Sequence, residues 1–234
     1  MRAAYRGTWA AQDAEIVMGN YIEKYMNDNK LTEITVLNLG STHTDELNHL
    51  PDVIKNKINF IGFDNNPIAG NVPKSKYKSY KFIVGDIFKF DFSNLDAKAD
   101  LVINRAFLHH CTTEQKNKVF EFCDAVLNDN GRVINIDWFI GDWETEKERC
   151  DAIRKYAELH CKLRPGHPTP ELMIADSLRL EVPDFRGGKM DSVKHTIDMI
   201  KNLKMNIELS EPVCNNPTVS DPKLFGQYVI IATK

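Results

Sequence analysis

Apolar and polar positions alternate along this chain with two different periods, and the alternation itself outlines a fold. Over 9–29 the apolar residues Trp9, Ile16, Val17, Tyr21 and Tyr25 fall on one face at helical spacing, and Asn27, Asp28 and Asn29 stop the run. Five short apolar runs follow: ITVLNL (34–39), INFIGFD (58–64), KFIVGD (81–86), DLVIN (100–104) and RVINID (132–137). Each is apolar on both faces, the signature of strands covered on both sides in a parallel sheet. A helix is predicted before the fifth run. Thr112 and Gln115 form a capping box, and Val119, Phe120, Cys123, Val126 and Leu127 make the buried stripe. Asn130-Gly131 is the expected helix end.

After residue 137 the rhythm changes. Residues 143–162 read as an amphipathic helix through Trp143, Cys150, Ile153 and Ala157. RPGHPTP (164–170) reads as a hinge, 170–180 as a short helix and EVPDFRGG (181–188) as a loop. Met190, Val193, Ile197 and Ile200 mark another helix. Two strands close the chain, at 206–213 and 227–234, joined by a loop holding Pro217 and Pro222. Alternating strands and helices argue a doubly wound α/β sheet. The expectation is one domain over 1–234, an N-terminal helix or lid at 1–29, and a helical cap at 138–190 inserted after strand 5.

Composition narrows the function classes. The 234 residues are 42% hydrophobic and 27% charged, with a formal net charge of −3. These are ordinary globular values. No bulk basic field invites nucleic acid, and no apolar run approaches the roughly 20 residues of a membrane span. The five cysteines include no CxxC pair, so neither a disulfide scaffold nor a zinc knuckle is expected. No His, Cys or Asp spacing predicts a metal site. A cytoplasmic protein is expected. Glycine is slightly scarce, at 12 residues.

The unit at 34–64 carries the chemistry. Gly40 stands at the turn after the first strand, and Asp64 ends the second strand at the roughly 20-residue interval where an acid takes ribose hydroxyls. Arg105 directly after an apolar strand reads either as a bidentate carboxylate clamp or as a structural partner of an acid such as Asp137. His109 and His110 could supply a general base, with His110 the first choice. Asp137 ends the fifth strand at the sheet's carboxyl edge, where ligands bind by topology. Cys111 reads as a small buried filler.

In series, VLNLGSTHT, FIGFDNNP, FIVGDIFKFDF, ADLVINRAFLHHCTTEQ, VLNDNGRVINIDW and YVIIATK resemble a class I S-adenosylmethionine (SAM)-dependent methyltransferase. The resemblance covers about 30–140 and the closing strand. It implies a seven-stranded, mostly parallel sheet of order 3-2-1-4-5-7-6 with the last strand antiparallel. It also implies that Asn38, Gly40, Ser41 and Thr42 face the methionine arm of SAM. Asp64 would hold the ribose with Asn65 beside it, and Asp86 with Ile87 would meet the adenine. Asn104 and Arg105 would lie beside the reacting centre, and His109 and His110 would begin the helix below it. The chain departs from the family's acid-x-Gly-x-Gly-x-Gly loop, with Asn38, Thr42 and Thr44 at three of its positions.

The cap contributes Trp138, Phe139, Trp143, Tyr156, His160, Arg164, His167 and Arg179, and Tyr5, Arg6 and Trp9 can fold over the same mouth. An aromatic and basic lid suits a small acidic or amino-acid substrate; the alternative is that these aromatics pack the cap on the sheet. The expected function is SAM-dependent methyl transfer to a small molecule by in-line displacement. Two alternatives stay open. One is a SAM-consuming reaction that transfers no methyl, by cyclising the aminobutyrate arm or forming carboxy-SAM. The other is a scaffold without catalysis.

Overall fold

A computed structural model describes residues 9–41, 47, 49–67, 69, 77–91, 95, 97–163, 190–213 and 225–234, and the side chains of these except 9–12, 160–163 and 225. The helix, hinge and loop expected within 164–189 lie outside the described residues, as do Tyr5, Arg6, Thr42 and Thr44.

The elements run α1 (Trp9–Asp28), β1 (Ile34–Leu39), α2 (Asp52–Lys55), β2 (Ile58–Asp64), β3 (Ser79–Val84), β4 (Ala99–Arg105), α3 (Thr113–Val126), β5 (Leu127–Ile140), α4 (Glu146–Leu163), α5 (Val193–Asn202), β6 (Asn206–Pro212) and β7 (Phe225–Thr233). The seven strands form one sheet of order β3-β2-β1-β4-β5-β7-β6. The first five are parallel, and β7 runs antiparallel to both β5 and β6. The fold class and strand order match expectation.

Side chains alternate across the sheet, and the two faces hold different partners. Val36, Phe60, Leu101, Ile103, Ile134 and Ile136 pack with Met18 and Ile22 of α1. Leu37, Leu39, Val102 and Val133 pack with Phe120 and Cys123 of α3 and Ile200 of α5. The same parity sends neighbouring residues of β4 and β5 to opposite faces. Asn104 and Asp137 belong on the α3 side and Arg105 on the α1 side, and this separation organises the site.

Three local expectations change. The third strand is Ser79–Val84 rather than 81–86. Helix α3 ends at Val126, where Leu127 is already extended at ψ 143°, so Asn130-Gly131 does not end it. Those residues belong to β5, opposite an irregular stretch of the β4–β5 ladder between Ala99 and Leu101, and Asn130 takes φ 63°. A bulge uses the same turn-forming pair that a helix end would. His109 and His110 do not open α3 either. They lie in a separate 3-10 turn, Leu108–His110, and α3 begins after its capping box, with Gln115 N–H on Thr112 Oγ1 at 3.2 Å and Thr112 N–H on Gln115 Oε1 at 2.8 Å.

The cap helix starts at Glu146, a turn later than its apolar pattern. Thr145 Oγ1 accepts Glu148 N–H at 3.2 Å, and Glu148 accepts Thr145 N–H at 3.0 Å. Its Ile153 and Tyr156 join Ile140 and Met190 in a small core separate from the two beside the sheet. No described helix is long and apolar enough to cross a membrane.

Candidate functional site

The carboxyl ends of β1, β2, β4 and β5 gather most of the residues singled out from the sequence. At the end of β1, Gly40 takes φ 71°, a conformation that strains any residue with a Cβ. A Cβ there would also lie 2.8 Å from the Phe107 ring. Gly40 and Ser41 both donate their N–H to the Phe63 carbonyl, at 2.9 and 3.0 Å, which ties the loop to β2. Asn38 is buried and donates to Ser41 Oγ at 3.0 Å. The loop is therefore braced from beneath by β2 and from above by Phe107.

Asp64 is 7% exposed. Its Oδ1 accepts Asn66 N–H at 2.7 Å, so the carboxylate caps the turn after β2, while Asn65 is exposed. Asp86 follows β3, the neighbour of β2, and likewise caps its own turn through Phe88 N–H at 3.0 Å. Ile87 beside it is half-buried.

At the end of β4 the chain divides its chemistry between the two faces. Asn104 is fully buried on the α3 side, 3.8 Å from Cys123 Sγ. Arg105 pairs with Glu15 of α1 at 3.3 Å, and Glu15 reaches His49 Nε2 at 3.0 Å through its other oxygen. The structural partner of Arg105 is thus Glu15 and not Asp137. Ala106 then takes φ 47°, a left-handed conformation rare without glycine that costs about 1–3 kcal/mol and concentrates at functional sites. This turn carries Phe107 over Gly40.

Asp137 pairs with His109. Its Oδ1 lies 2.6 Å from His109 Nδ1, its Oδ2 accepts His109 N–H at 3.0 Å, and Oδ1 also accepts Trp138 N–H at 2.8 Å. Burial pushes the carboxyl upward, but the His109 charge and hydrogen bond, with the two backbone N–H groups, hold it net below the usual range. The carboxylate therefore stays ionised and fixes the imidazole with Nδ1 inward. His110 is exposed, its ring centroid 4.0 Å from that of His109. Burial pushes the Cys111 thiol up to about 12, as suits a packing residue.

Trp138 and Trp143 pack in the cap core with Ile153 and Tyr156. Trp143 also lies edge-on to His195 at 4.2 Å. The side chain of Trp9 and all of Tyr5 are outside the described residues, as are Arg164, His167 and Arg179. Among the described residues no group of His, Cys, Asp and Glu could hold a metal ion. Glu15, His49 and Phe107 went unread in the sequence. Glu15 has no spacing signal, because a helix face and a strand end meet only in three dimensions, and Phe107 reads as another apolar residue.

Residues 37–135 match the family model for a methyltransferase domain. No curated protein matches the chain closely. Solved structures that share its fold include the following three. A candidate O-methyltransferase of Nostoc punctiforme is 19% identical with a TM-score of 0.53, over 96% of this chain and 60% of that one. The CurJ carbon methyltransferase is 15% identical with a TM-score of 0.61, over 97% and 55%. The 1,6-didemethyltoxoflavin N1-methyltransferase of Burkholderia thailandensis, solved with S-adenosylhomocysteine, is 11% identical with a TM-score of 0.60, over 100% and 81%. The chain spans little more than half the length of the first two.

Proposed function

We propose that this chain, which has the methyltransferase strand order and whose residues 37–135 match the family model for a methyltransferase domain, transfers methyl from SAM to a small molecule, with His109 as general base. The observation that carries the catalytic part is the His109–Asp137 pair at the carboxyl edge of the sheet.

The residues present fit SAM. The Gly40 turn leaves no Cβ above the end of β1. Asp64 ends β2 as a buried carboxylate suited to two vicinal ribose hydroxyls. We assign Asn38, Gly40, Ser41 and Thr42 to the methionine arm, Asp64 and Asn65 to the ribose, and Asp86 and Ile87 to the adenine. Asn104 and Arg105 flank the reacting centre. Arg105, already beside Glu15, offers a guanidinium to a carboxylate, and we assign Trp138, Trp143, Tyr5 and Trp9 to acceptor recognition. Bound SAM supplies an electrophilic sulfonium methyl.

The protein's own residues hold the acceptor in line and remove its proton. With Nδ1 on Asp137, His109 Nε2 receives the proton of a phenol or ammonium acceptor. Asp137 holds the tautomer and stabilises the imidazolium that forms. His110, the first choice from the sequence, is exposed beside it, and we give it the role of shielding the His109 ring. Alignment of methyl and nucleophile supplies much of the remaining acceleration.

The test is SAM binding by calorimetry followed by product mass spectrometry with a panel of phenol, amine and carboxylic acceptors. S-adenosylhomocysteine and a methylated acceptor are expected. Methylthioadenosine as the product would replace methyl transfer with cyclisation of the aminobutyrate arm. No binding at millimolar SAM would leave a scaffold.

A further inference from the structure

A second ion pair lies buried beside the His109–Asp137 pair. Lys116 of α3 and Asp191 meet at 2.9 Å, with their side chains 3% and 5% exposed. The chain delivers Asp191 by returning from the cap to the end of β5. There Ile140 N–H bonds the Asp191 carbonyl at 3.1 Å, and Ser192 caps α5 by accepting His195 N–H at 3.2 Å. A pair so placed costs desolvation, and replacing such pairs by apolar residues is often neutral or stabilising. Stability alone therefore does not account for it.

A small cavity of about 10 Å³ separates the two pairs. His109, Asp137 and Trp138 line one side, with Lys116, Asp191 and Asn135 completing it. Asn135 stands on β5 two residues before Asp137, so both point to the α3 face. It is fully buried, and neither its amide nitrogen nor its amide oxygen has a partner among the described residues. Buried amides are almost always hydrogen-bonded. The cavity matches the volume of one water centre, and it offers the several polar partners a buried water needs.

We propose that Lys116 and Asp191, linked through one buried water at Asn135, are positioning residues for the His109–Asp137 pair. The water accepts from Lys116 or the Asn135 amide and donates to the Asp137 or Asp191 carboxylate. The second pair then fixes the carboxylate that fixes the imidazole. This rests on the reading of His109 as the base, but its effect on the imidazole is measurable without turnover.

The experiment uses the full chain with labelled histidine. In the wild type, the proton between His109 Nδ1 and Asp137 gives a downfield, slowly exchanging NMR signal. K116M/D191N removes both charges together, so no buried charge is left alone, and Asn135→Leu removes the water's anchor. Both variants are expected to lose or broaden that signal. Both lower kcat on the order of tenfold or more, the scale of outer-shell partners, with KM for SAM within about twofold. K116R retains most of the signal. Unchanged signal and kcat in the folded variants would overturn the proposal. So would a crystal structure showing no water between Asn135 and Lys116, whether or not the variants fold. If the variants lose the signal but no form of the protein transfers methyl, the positioning stands and the methyltransferase reading falls.

Discussion

The two halves of the site are built differently. At the ends of β1 and β2 the polar contacts stay within a turn or reach only the neighbouring strand: Asn38 to Ser41, Asp64 to Asn66, and Gly40 and Ser41 to Phe63 of β2. At the ends of β4 and β5, contacts join distant segments: His109 to Asp137, Arg105 to Glu15, Lys116 to Asp191. The first half is a braced turn that presents backbone and one carboxylate. The second is a set of charges paired across elements. We assign binding to the half held by turns and one neighbouring strand, and proton chemistry to the half that joins distant segments.

The largest expected effect falls on the assembled half. His109→Gln keeps a polar side chain but removes the base, and kcat for a protic acceptor should fall about 10²–10⁴-fold with SAM affinity unchanged. His110→Gln should change kcat little. A loss of rate in His110→Gln equal to that in His109→Gln would return the base to the position first chosen from the sequence.

Next comes the brace of the local half. Gly40→Ala meets both a left-handed backbone and the Phe107 ring at 2.8 Å. Overpacking of this kind costs about 1–3 kcal/mol. A lowered melting temperature is expected, and Gly40→Ala with Phe107→Leu should recover part of it. No recovery would mean that the backbone conformation and not the ring sets the cost.

These two halves were unequally legible in the sequence. The capping box at Thr112 and the acid at Asp64 follow from fixed spacing, and the strand order from the family resemblance. The pairing of Asp137 with His109 does not, because 3.6-residue and 2-residue periods say which face a residue takes but not which neighbour it meets there. The parity argument places Asp137 on the α3 face, yet only the 3-10 turn at Leu108–His110 brings His109 and not His110 against it. Asn130-Gly131 misled for the converse reason: a pair that favours positive φ serves a helix end and a strand bulge equally.

An effect of comparable size is expected on cofactor affinity. Asp64→Ala should weaken SAM binding by about 1.5–3 kcal/mol, the scale of hydrogen bonds to a charged group. Loss of the Asn66 turn contact accompanies it. Asp64→Asn separates the two, since the amide oxygen still accepts Asn66 N–H. Calorimetry showing full SAM affinity in Asp64→Asn would reduce Asp64 to a turn cap and leave ribose recognition to the neighbouring loop.

The smallest expected effect is the acid limb of stability, and it distinguishes the halves by charge alone. Asp137 is held below the usual carboxyl range in the folded protein, because His109 and two N–H groups outweigh its burial. A group depressed on folding contributes its stabilisation above its unfolded pKa, near 3.9, and loses it as pH falls through the lower folded value. The unfolded chain then binds the proton first, so stability declines on acidification across that interval. In Asp137→Asn the amide does not titrate, and this part of the decline disappears. Urea unfolding of the two proteins between pH 7 and the acid limit should give curves that converge as pH falls. Parallel curves would mean that the Asp137 pKa is the same in the folded and unfolded protein, and its partnership with His109 would then contribute nothing to stability through charge.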